Sequence, residues 1–249
     1  MKLLLSICLL LASTLSFAND IDVKCPQLTY KTAPVVQADQ YICHQEYAVA
    51  YSYRSKNPIY TAEFLNKSHT GSEPRTNDFR VDPAIPPEYQ ASPKDYYHSG
   101  TACNGGRCDR GHMTPDQDFS SCAVCVSESF FMSNMVPQNY KNNEVIWKEL
   151  EELLRKYVAV HPTGIYVITG PAYQSPVHTL GADQVWIPAM LFKVAIDAQT
   201  GKSIAFYMPN APEDDLSQFV VNLATIEAAT GIKFDETLDK QSVGDFNAW

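Results

Sequence analysis

Residues 142–157 carry a repeat of chemically distinct side chains at every fourth position, and this spacing constrains the fold more than any other feature of the chain. The repeat consists of Asn143, Trp147, Glu151 and Arg155. Residues four apart lie along one edge of an α-helix, so the sequence predicts a helix over residues 142–157. The apolar side chains of this segment fall on a neighbouring stripe, which we expect to face the core: Ile146, Leu150, Leu153 and Tyr157.

A second polar segment, Asp109-Arg110-Gly111-His112, precedes this helix, and residues 129–136 read as a strand that pairs back with it. A neutral imidazole can take a proton from water, and an amide oxygen can bind a hard cation such as Mg²⁺. A carboxylate can accept hydrogen bonds from cation-bound water, and guanidinium groups can hold phosphate oxygens. The two segments together predict a site for metal-assisted phosphodiester hydrolysis, with His112 as the base and Asn143 as the cation ligand.

Each of these residues also has an explanation that involves no catalysis. Asn143 can cap or flank the helix start, and Glu151 and Arg155 can form a surface pair worth roughly 0.3 kcal/mol. Trp147 is expected to pack in the core rather than to stack on a base. We prefer the functional interpretation because the structural explanations together require several independent coincidences of order and spacing.

The rest of the chain shows mixed secondary-structure patterns without repeats or low-complexity tracts. Residues 66–99 are polar and proline-rich, which favours a long surface connection, and a last helix is predicted within residues 218–230, ending at Gly231. Strands on either side of one major helix indicate an α+β fold. The predicted strands are residues 45–53, 59–65, 163–169, 184–195 and 203–208.

Residues 1–18 have the features of a secretory signal peptide. Lys2 is followed by an apolar run and then by Ser16-Phe17-Ala18, with small residues at the first and third positions before the predicted cleavage. The run is too short for a convincing membrane span. We therefore expect residues 19–249 to form a single domain that is exported, to a periplasm or out of the cell, without membrane attachment.

Removal of residues 1–18 would also remove Cys8 and leave an even number of cysteines, which in an exported chain favours disulfides. Their pairing is not deducible, although proximity suggests that Cys25 and Cys43 clip the N-terminal segment. The alternative is a four-thiolate zinc site, with Cys103-x4-Cys108 and Cys122-x2-Cys125 as its two halves.

The net charge of −9 argues against nucleic-acid binding, which normally relies on lysine and arginine. The site predicted above is compatible with this charge when positive side chains are concentrated locally and product must be released. Activity on a polyanion should then be strongly inhibited by moderate salt.

Beyond these two segments, the chain resembles the DNA/RNA non-specific endonuclease family, which belongs to the ββα-metal (His-Me finger) superfamily. The likeness spans roughly residues 47–236. Apart from the Asp109–His112 tetrapeptide and the helix repeat, the matching motifs are Phe79-Arg80-x-Asp82, Asp95-Tyr96, Ser99-Gly100, Ser133-Asn134-Met135-Val136-Pro137-Gln138, Val167-Ile168-Thr169-Gly170-Pro171, Val185-Trp186-Ile187-Pro188, Phe192-Lys193-Val194, Ala205-Phe206-Tyr207-Met208-Pro209-Asn210 and Ile226-Glu227-x3-Gly231.

The resemblance implies a central antiparallel β-sheet with flanking helices and a ββα-metal finger active site. It also implies hydrolysis of DNA and RNA without sequence preference, giving 5′-phosphate ends, with Mg²⁺ as cofactor and Mn²⁺ or another divalent cation as a substitute. By position, His112 would be the general base, Asn143 the sole direct metal ligand and Glu151 a residue acting through metal-bound water. Phosphate contacts would come from Arg80, Arg110 and Arg155, and Asp109 would support the site through hydrogen bonds.

One segment departs from the family pattern. Residues 101–108, between Ser99-Gly100 and the tetrapeptide, form an insertion with cysteines at both Cys103 and Cys108. We expect a disulfide-closed turn that shapes the groove and braces the strand of His112.

Three alternative functions remain open on the sequence. The same site could serve small or non-nucleic phosphodiesters, in which case a closed pocket is expected instead of a long groove. A non-catalytic nucleic-acid-binding relative and a zinc-stabilised interaction protein are the other two. The sequence does not specify an inhibitor protein or the oligomeric state.

Overall fold

The structure is a computed structural model that describes residues 20–249, so the predicted signal peptide lies outside the described residues. Within those residues, none of the helices has the length and apolar character needed to cross a membrane. The helices are α1 (Asp20–Lys24), α2 (Ala123–Ser129), a π-helical segment (Asn142–Trp147) that runs into α3 (Lys148–Val160), and α4 (Leu223–Thr230). The strands are β1 (Gln40–Cys43), β2 (Tyr47–Ser52), β3 (Asn57–Leu65), β4 (Cys108–His112), β5 (Met135–Asn139), β6 (Ile165–Ala172), β7 (Thr179–Leu180), β8 (Val185–Trp186), β9 (Met190–Asp197), β10 (Ser203–Pro209) and β11 (Val220–Val221).

A central antiparallel sheet organises the molecule, as the α+β assignment predicts. Its strand order is β1-β2-β3-β6-β9-β10-β11, and β4 and β5 form a separate two-stranded ladder. The predicted strand over residues 184–195 is wrong in its extent, because the chain forms β8 and then β9 with a break between them. Pro188 lies in that break and has no N–H to donate to a ladder.

Alternate residues of the central strands separate two cores. On one face, Ala62, Ile168 and Val194 pair in register across β3, β6 and β9, and they belong to the core that includes Leu223 and Ile226 of α4. The opposite face packs against Leu150, Leu154 and Val158 of α3. Its core residues include Leu65, Val167, Leu191, Ala195 and Phe206. The sheet is therefore buried on both sides, with α3 and the β4–β5 ladder on the second face.

The predicted strand over residues 129–136 starts too early, since β5 begins only at Met135. Between Ser129 and β5 the chain turns around the buried amide of Asn134, which donates to the carbonyl oxygens of Thr114 and Ser129 at 2.7 and 2.8 Å. From that turn β5 pairs antiparallel with β4, and His112 lies opposite Met135. With the helix that follows, these two strands make the ββα finger.

The predicted helix over residues 142–157 is present, but its inner face differs from the predicted stripe. Leu154 and Val158 are buried, whereas Leu153 and Tyr157 are only partly buried. The Tyr157 ring stacks on Trp249 at 4.3 Å between centroids, and its hydroxyl donates to Asp197 at 2.9 Å. These contacts hold Tyr157 at the rim of the core.

All six cysteines of the described chain form disulfides: Cys25–Cys43, Cys103–Cys108 and Cys122–Cys125. The alternative of a four-thiolate zinc site is therefore wrong, because its thiols are consumed in two short-range bridges.

The segment over residues 66–99, predicted as a surface connection, also contributes to the interior. Asp82 is fully buried and accepts hydrogen bonds from Ser133 at 2.5 Å and from the N–H of Ala84 at 2.8 Å. Its other carboxylate contact is the His44 ring at 3.1 Å. The segment is thus anchored under the finger rather than lying on the surface throughout.

Candidate active site

His112 lies at the end of β4, 7% exposed, with its ring edge-on to Phe130 at 4.8 Å and tilted against Phe79 at 5.6 Å. Its Nε2 is buried and has no partner among the described residues, which leaves Nδ1 as the ring nitrogen that can face water. Burial, followed by the positive charges of Arg75 and Arg110, holds the pKa of His112 well below its ordinary value of 6.5. The imidazole is therefore neutral near pH 7 and able to accept a proton.

The strand of His112 is held tightly by its neighbours. The indole Nε1 of Trp147 donates to the backbone oxygen of His112 at 3.3 Å, and Trp147 is fully buried, as expected of a core residue. Gly111 pairs with Val136 in the ladder, and the Gln138 side chain packs directly over it, so that an added Cβ would lie 1.9 Å from the Gln138 amide oxygen. Only glycine leaves room for the Gln138 side chain at this position.

Asn143 lies in the π-helical segment, half-buried, where it faces β4. Its Nδ2 donates to Oδ2 of Asp109 at 3.0 Å, and Oδ1 of Asp109 accepts from Nε of Arg107 at 3.1 Å. The Asp109 carboxylate thus fixes the amide orientation and leaves the amide oxygen of Asn143 free. A π-helical turn inside a helix often accompanies a functional site, and here it starts the helix whose edge faces β4.

Glu151 is half-buried on α3, in the same cavity as His112 and Asn143. Burial raises the pKa of Glu151 to about 7 against the opposing effect of Lys193 and Arg155, while Asp118 and Asp116 raise it further. The described residues give the Glu151 carboxylate no hydrogen-bond or ion-pair partner.

The predicted phosphate-binding arginines occupy different positions. Arg110 lies over the Phe79 ring at 4.1 Å and lines both cavities described below. Arg155 pairs with the buried Asp118 at 2.7 Å and lines the smaller cavity. Arg80 lines neither: its guanidinium contacts Asp78 at 2.7 Å and the Ser127 backbone oxygen at 2.8 Å. The structure therefore brings Arg110 and Arg155 to His112 and Asn143, and leaves Arg80 outside this group.

Two adjoining cavities share Arg75, Arg110, Asn143 and Glu144 as walls. The smaller, of about 190 Å³, contains the catalytic candidates; its other lining residues are His112, Pro115, Asp116, Gln117, Lys148, Glu151 and Arg155. The larger, of about 660 Å³, extends the site as an open groove; its other lining residues are Asn77, Phe79, Tyr96, Tyr97, His98, Ser99, Gly100, Arg107, Cys108 and Asp109.

Two arginines of the groove were not among the predicted site residues. Arg75 lies over the Phe130 ring at 4.7 Å and pairs with Asp116, beside His112. It belongs to the polar segment over residues 66–99, whose sequence gives no sign of which charges reach the site. Arg107 lies in the disulfide-closed insertion and pairs with Glu144 at 2.5 Å and Asp109.

Comparison with curated proteins identifies related nucleases. The chain is 29% identical over 222 residues to "Nuclease EXOG, mitochondrial" of Danio rerio, which covers 81% of this chain and 62% of that protein. It is 32% identical over 224 residues to the Xenopus laevis protein of the same name, covering 82% of this chain and 60% of the relative. The chain thus matches less than two thirds of the length of either relative.

These relatives contradict one prediction. Both are named as mitochondrial proteins, as is "Nuclease 1, mitochondrial" of Schizosaccharomyces pombe. The predicted periplasmic or secreted location is therefore wrong.

The fold also matches a crystal structure of the EndoG/EndoGI complex, which addresses the mechanism of EndoG inhibition. The TM-score is 0.75 at 25% sequence identity, with 86% of this chain and 93% of that chain covered. In addition, the sequence profile of the DNA/RNA non-specific endonuclease family matches residues 25–241. This profile covers most of the chain, including both strands and the helix of the finger, and the chain therefore belongs to the DNA/RNA non-specific endonuclease family.

Proposed function

We propose that this chain is an endonuclease that hydrolyses phosphodiester bonds in DNA and RNA with one divalent metal ion, Mg²⁺, and leaves 5′-phosphate ends. The observation that carries the proposal is the convergence of His112, Asn143, Glu151 and two arginines on one cavity that opens into a longer groove. The relatives named as nucleases support it. In this proposal residues 19–249 act as a single endonuclease domain.

The donor set fits a hard cation held by few protein ligands. The amide nitrogen of Asn143 donates to Asp109, which leaves the amide oxygen available to bind a cation. An amide oxygen is a ligand that suits Mg²⁺. The described residues contain no group of three or more His, Cys, Asp or Glu side chains that could hold a metal ion. We assign Asn143 as the only direct ligand, as the family resemblance implies. When bound, the cation would offset negative charge on the phosphate and on the departing oxygen.

His112 is the general base in this mechanism. Its neutral imidazole takes a proton from the attacking water, and the surrounding Phe79 and Phe130 rings keep the ring in place and exclude competing solvent. The positive charges of Arg75 and Arg110 oppose protonation of the resting imidazole, so the base form is available well below pH 7.

The charged residues around the base orient water and hold phosphate. Glu151, in its ionised form, accepts hydrogen bonds from water in the cavity. Arg110 and Arg155 neutralise charge on the phosphoryl oxygens as the transition state forms. Arg80 remains a proposed phosphate contact outside the catalytic cavity, where its guanidinium is paired with Asp78.

The shape of the site favours a polymer over a small phosphodiester. A groove of about 660 Å³ leads away from the catalytic cavity. It contains the exposed Tyr97 side chain, 59% exposed, and two arginines that lie over aromatic rings, Arg107 over Tyr140 and Arg110 over Phe79. Exposed rings and arginine planes can stack on bases without reading sequence. Phosphate contacts ignore the sugar, so acceptance of both DNA and RNA follows.

The test is cleavage of supercoiled plasmid and of a single-stranded RNA at low salt with Mg²⁺, beside an EDTA control. His112→Ala should lose about 10³-fold or more in rate, whereas His178→Ala, at an exposed position far along the chain, should match the wild type. End-labelling of the products should show 5′-phosphates.

Equal cleavage by His112→Ala would remove His112 as the base. Cleavage that survives EDTA would remove the metal requirement. A folded wild-type protein that cuts neither polymer but hydrolyses bis(p-nitrophenyl) phosphate would instead support the small-phosphodiester alternative.

A further inference from the structure

Lys193 is a fully buried lysine, 1% exposed, at the centre of the sheet, and none of the roles assigned above includes it. It lies on β9, where it pairs in register with Thr169 of β6, which in turn pairs with Thr61 of β3. Each of these three side chains is 1% exposed. They form a row of polar side chains across three strands, on the face of the sheet that otherwise carries the α3 core.

Burial of an ammonium and two hydroxyls destabilises the fold unless these groups form hydrogen bonds. Nζ of Lys193 donates to the backbone oxygen of Met113 at 3.1 Å and to Oγ1 of Thr169 at 2.8 Å. At the other end of the row, the hydroxyl of Thr114 donates to the hydroxyl of Thr61 at 2.9 Å. The row therefore supports the backbone immediately after His112.

The same ammonium is also linked to the backbone of His112 itself, through Trp147. Nζ of Lys193 lies 5.0 Å from the centre of the Trp147 ring, and the indole of Trp147 donates to the backbone oxygen of His112. Lys193 and Trp147 thus hold the carbonyl groups of two consecutive residues, His112 and Met113, from below.

Lys193 also interacts electrostatically with acids from several elements. Glu151, Glu63 and Asp118 interact with its charge, and Arg155 is the other cation of this cluster. Glu63 is 1% exposed, and neither of its carboxyl oxygens has a partner among the described residues. Since Arg155 is already paired with Asp118, Lys193 is the cation of the cluster that has no carboxylate within ion-pair distance among the described residues.

We propose that Lys193 is a positioning residue of the active site, whose ammonium holds the backbone that follows His112 and maintains a positive charge opposite Glu151. The inference rests on the proposed function for its catalytic consequence, but its contacts do not depend on that function. Loss of the ammonium removes two hydrogen bonds below the base and a charge that favours the ionised form of Glu151.

The experiment compares Lys193→Met with wild type by titrating the Glu151 carboxyl carbon in the metal-free protein by NMR. The groups that face Glu151 are Lys193, Arg155, Asp118, Asp116 and Glu63. Removing Lys193 should move the Glu151 midpoint upward by roughly one pH unit, because one of its two opposing cations is lost. Lys202→Met, at an exposed position, should leave it unchanged.

Steady-state cleavage provides a second readout. Lys193→Met should lower kcat by roughly 10- to 100-fold through displacement of the base, with the acidic limb of the kcat–pH profile moved upward. KM should change by less than about threefold, since Lys193 does not line the groove. Lys193→Arg, which keeps the charge, should restore the Glu151 midpoint.

A folded Lys193→Met protein with the wild-type Glu151 midpoint overturns the proposal, even when its Tm is lower. Should this variant not fold, Lys193→Met/Glu63→Gln removes an opposing acid together with the cation and takes its place in the same titration. A neutral Lys193 amine in the wild type at pH 7, read from the ¹⁵Nζ shift, overturns it without any variant. Absence of nuclease activity in the wild type would refute the proposed function alone.

Discussion

At the scale of single residues, the site combines groups whose protonation is set by burial rather than by one strong partner. Burial keeps His112 neutral and raises the pKa of Glu151 to about 7, although two cations oppose that rise. Base and carboxylate are therefore both available only when Glu151 has lost its proton. Cleavage should accordingly increase with pH up to about pH 7 and then level, since His112 is already unprotonated there.

Glu151→Gln should separate the catalytic role of this carboxylate from its cost to stability. The folded-state pKa of Glu151 lies above its ordinary value of 4.5, so the folded protein loses stability as pH rises from about 4.5 through about 7. The neutral amide removes this loss, and we expect a gain of roughly 1–2 kcal/mol at pH 8, with none below pH 4.5. Urea unfolding at both pH values measures the gain, and kcat should fall by about 10²-fold or more.

The matched control is Glu149→Gln, on the exposed side of the same helix turn, which should change neither quantity. A Glu151→Gln protein that is less stable than wild type at pH 8 would show that the carboxylate is satisfied in the folded state.

Asp109 should affect metal binding by orienting the side-chain amide of Asn143. Asp109→Ala removes the acceptor that holds Nδ2 of Asn143, so the amide can rotate and present nitrogen instead of oxygen to the cation. We expect Mg²⁺ affinity to fall by about 10- to 100-fold, measured by isothermal titration with the metal alone. Asp214→Ala, at an exposed loop position, controls for loss of charge; unchanged affinity in Asp109→Ala would make its hydrogen bond irrelevant to metal binding.

At the scale of elements, the inserted loop joins the groove wall to the catalytic strand. The Cys103–Cys108 bridge closes it, Arg107 links it to Asp109, and the amide of Asn104 donates to the backbone oxygen of Asn210 at 2.6 Å. Cys103→Ser/Cys108→Ser should lower stability by about 2 kcal/mol, from the short loop that the bridge closes. Because this loop carries Arg107, kcat should fall as well.

The Cys25–Cys43 bridge provides the control for this prediction. It closes a longer loop, with a sequence separation of 18, and Cys25 packs in the core on the opposite face of the sheet. Its removal should lower stability more, by about 3 kcal/mol, and leave kcat of the folded protein unchanged. Thermal unfolding and initial rates measure both effects; equal losses of kcat for the two bridges would contradict a specific role for the inserted loop.

Elements with a strong local period were predictable from the sequence, and those defined by long-range contacts were not. The main helix and the end of α4 at Gly231, which has the left-handed φ of 77°, follow from local patterns. The start of β5 depends on the buried Asn134 amide, which donates to Thr114 on another segment of the chain. The pattern of apolar residues also could not show whether Leu153 or Leu154 faces the sheet, since both lie near the stripe.

The same distinction applies to the site. His112, Asn143, Glu151 and Arg155 come from two local motifs and meet in one cavity as expected. Arg75 was not predictable because it reaches the site from an irregular segment, where no period relates sequence position to direction.

At the scale of the whole molecule, an acidic chain with a net charge of −9 concentrates cations at its groove. Arg75, Arg107 and Arg110 line the larger cavity, but Arg75 and Arg107 are paired with carboxylates. Substrate phosphates must compete with those carboxylates, and the surrounding negative charge repels the polymer at a distance. Binding should therefore depend steeply on a few contacts and be lost at moderate salt.

Arg75→Gln tests this dependence, because its guanidinium lies beside His112 and is 44% exposed. If it contacts one phosphate, KM should rise at low salt, and the slope of log(kcat/KM) against log[salt] should become less steep by about one. Arg54→Gln removes an arginine that lies over Trp186, in a different cavity, and should leave the slope unchanged. The same slope in Arg75→Gln as in wild type would mean that Arg75 stays bound to Asp116 throughout and that substrate phosphates are held by the other arginines.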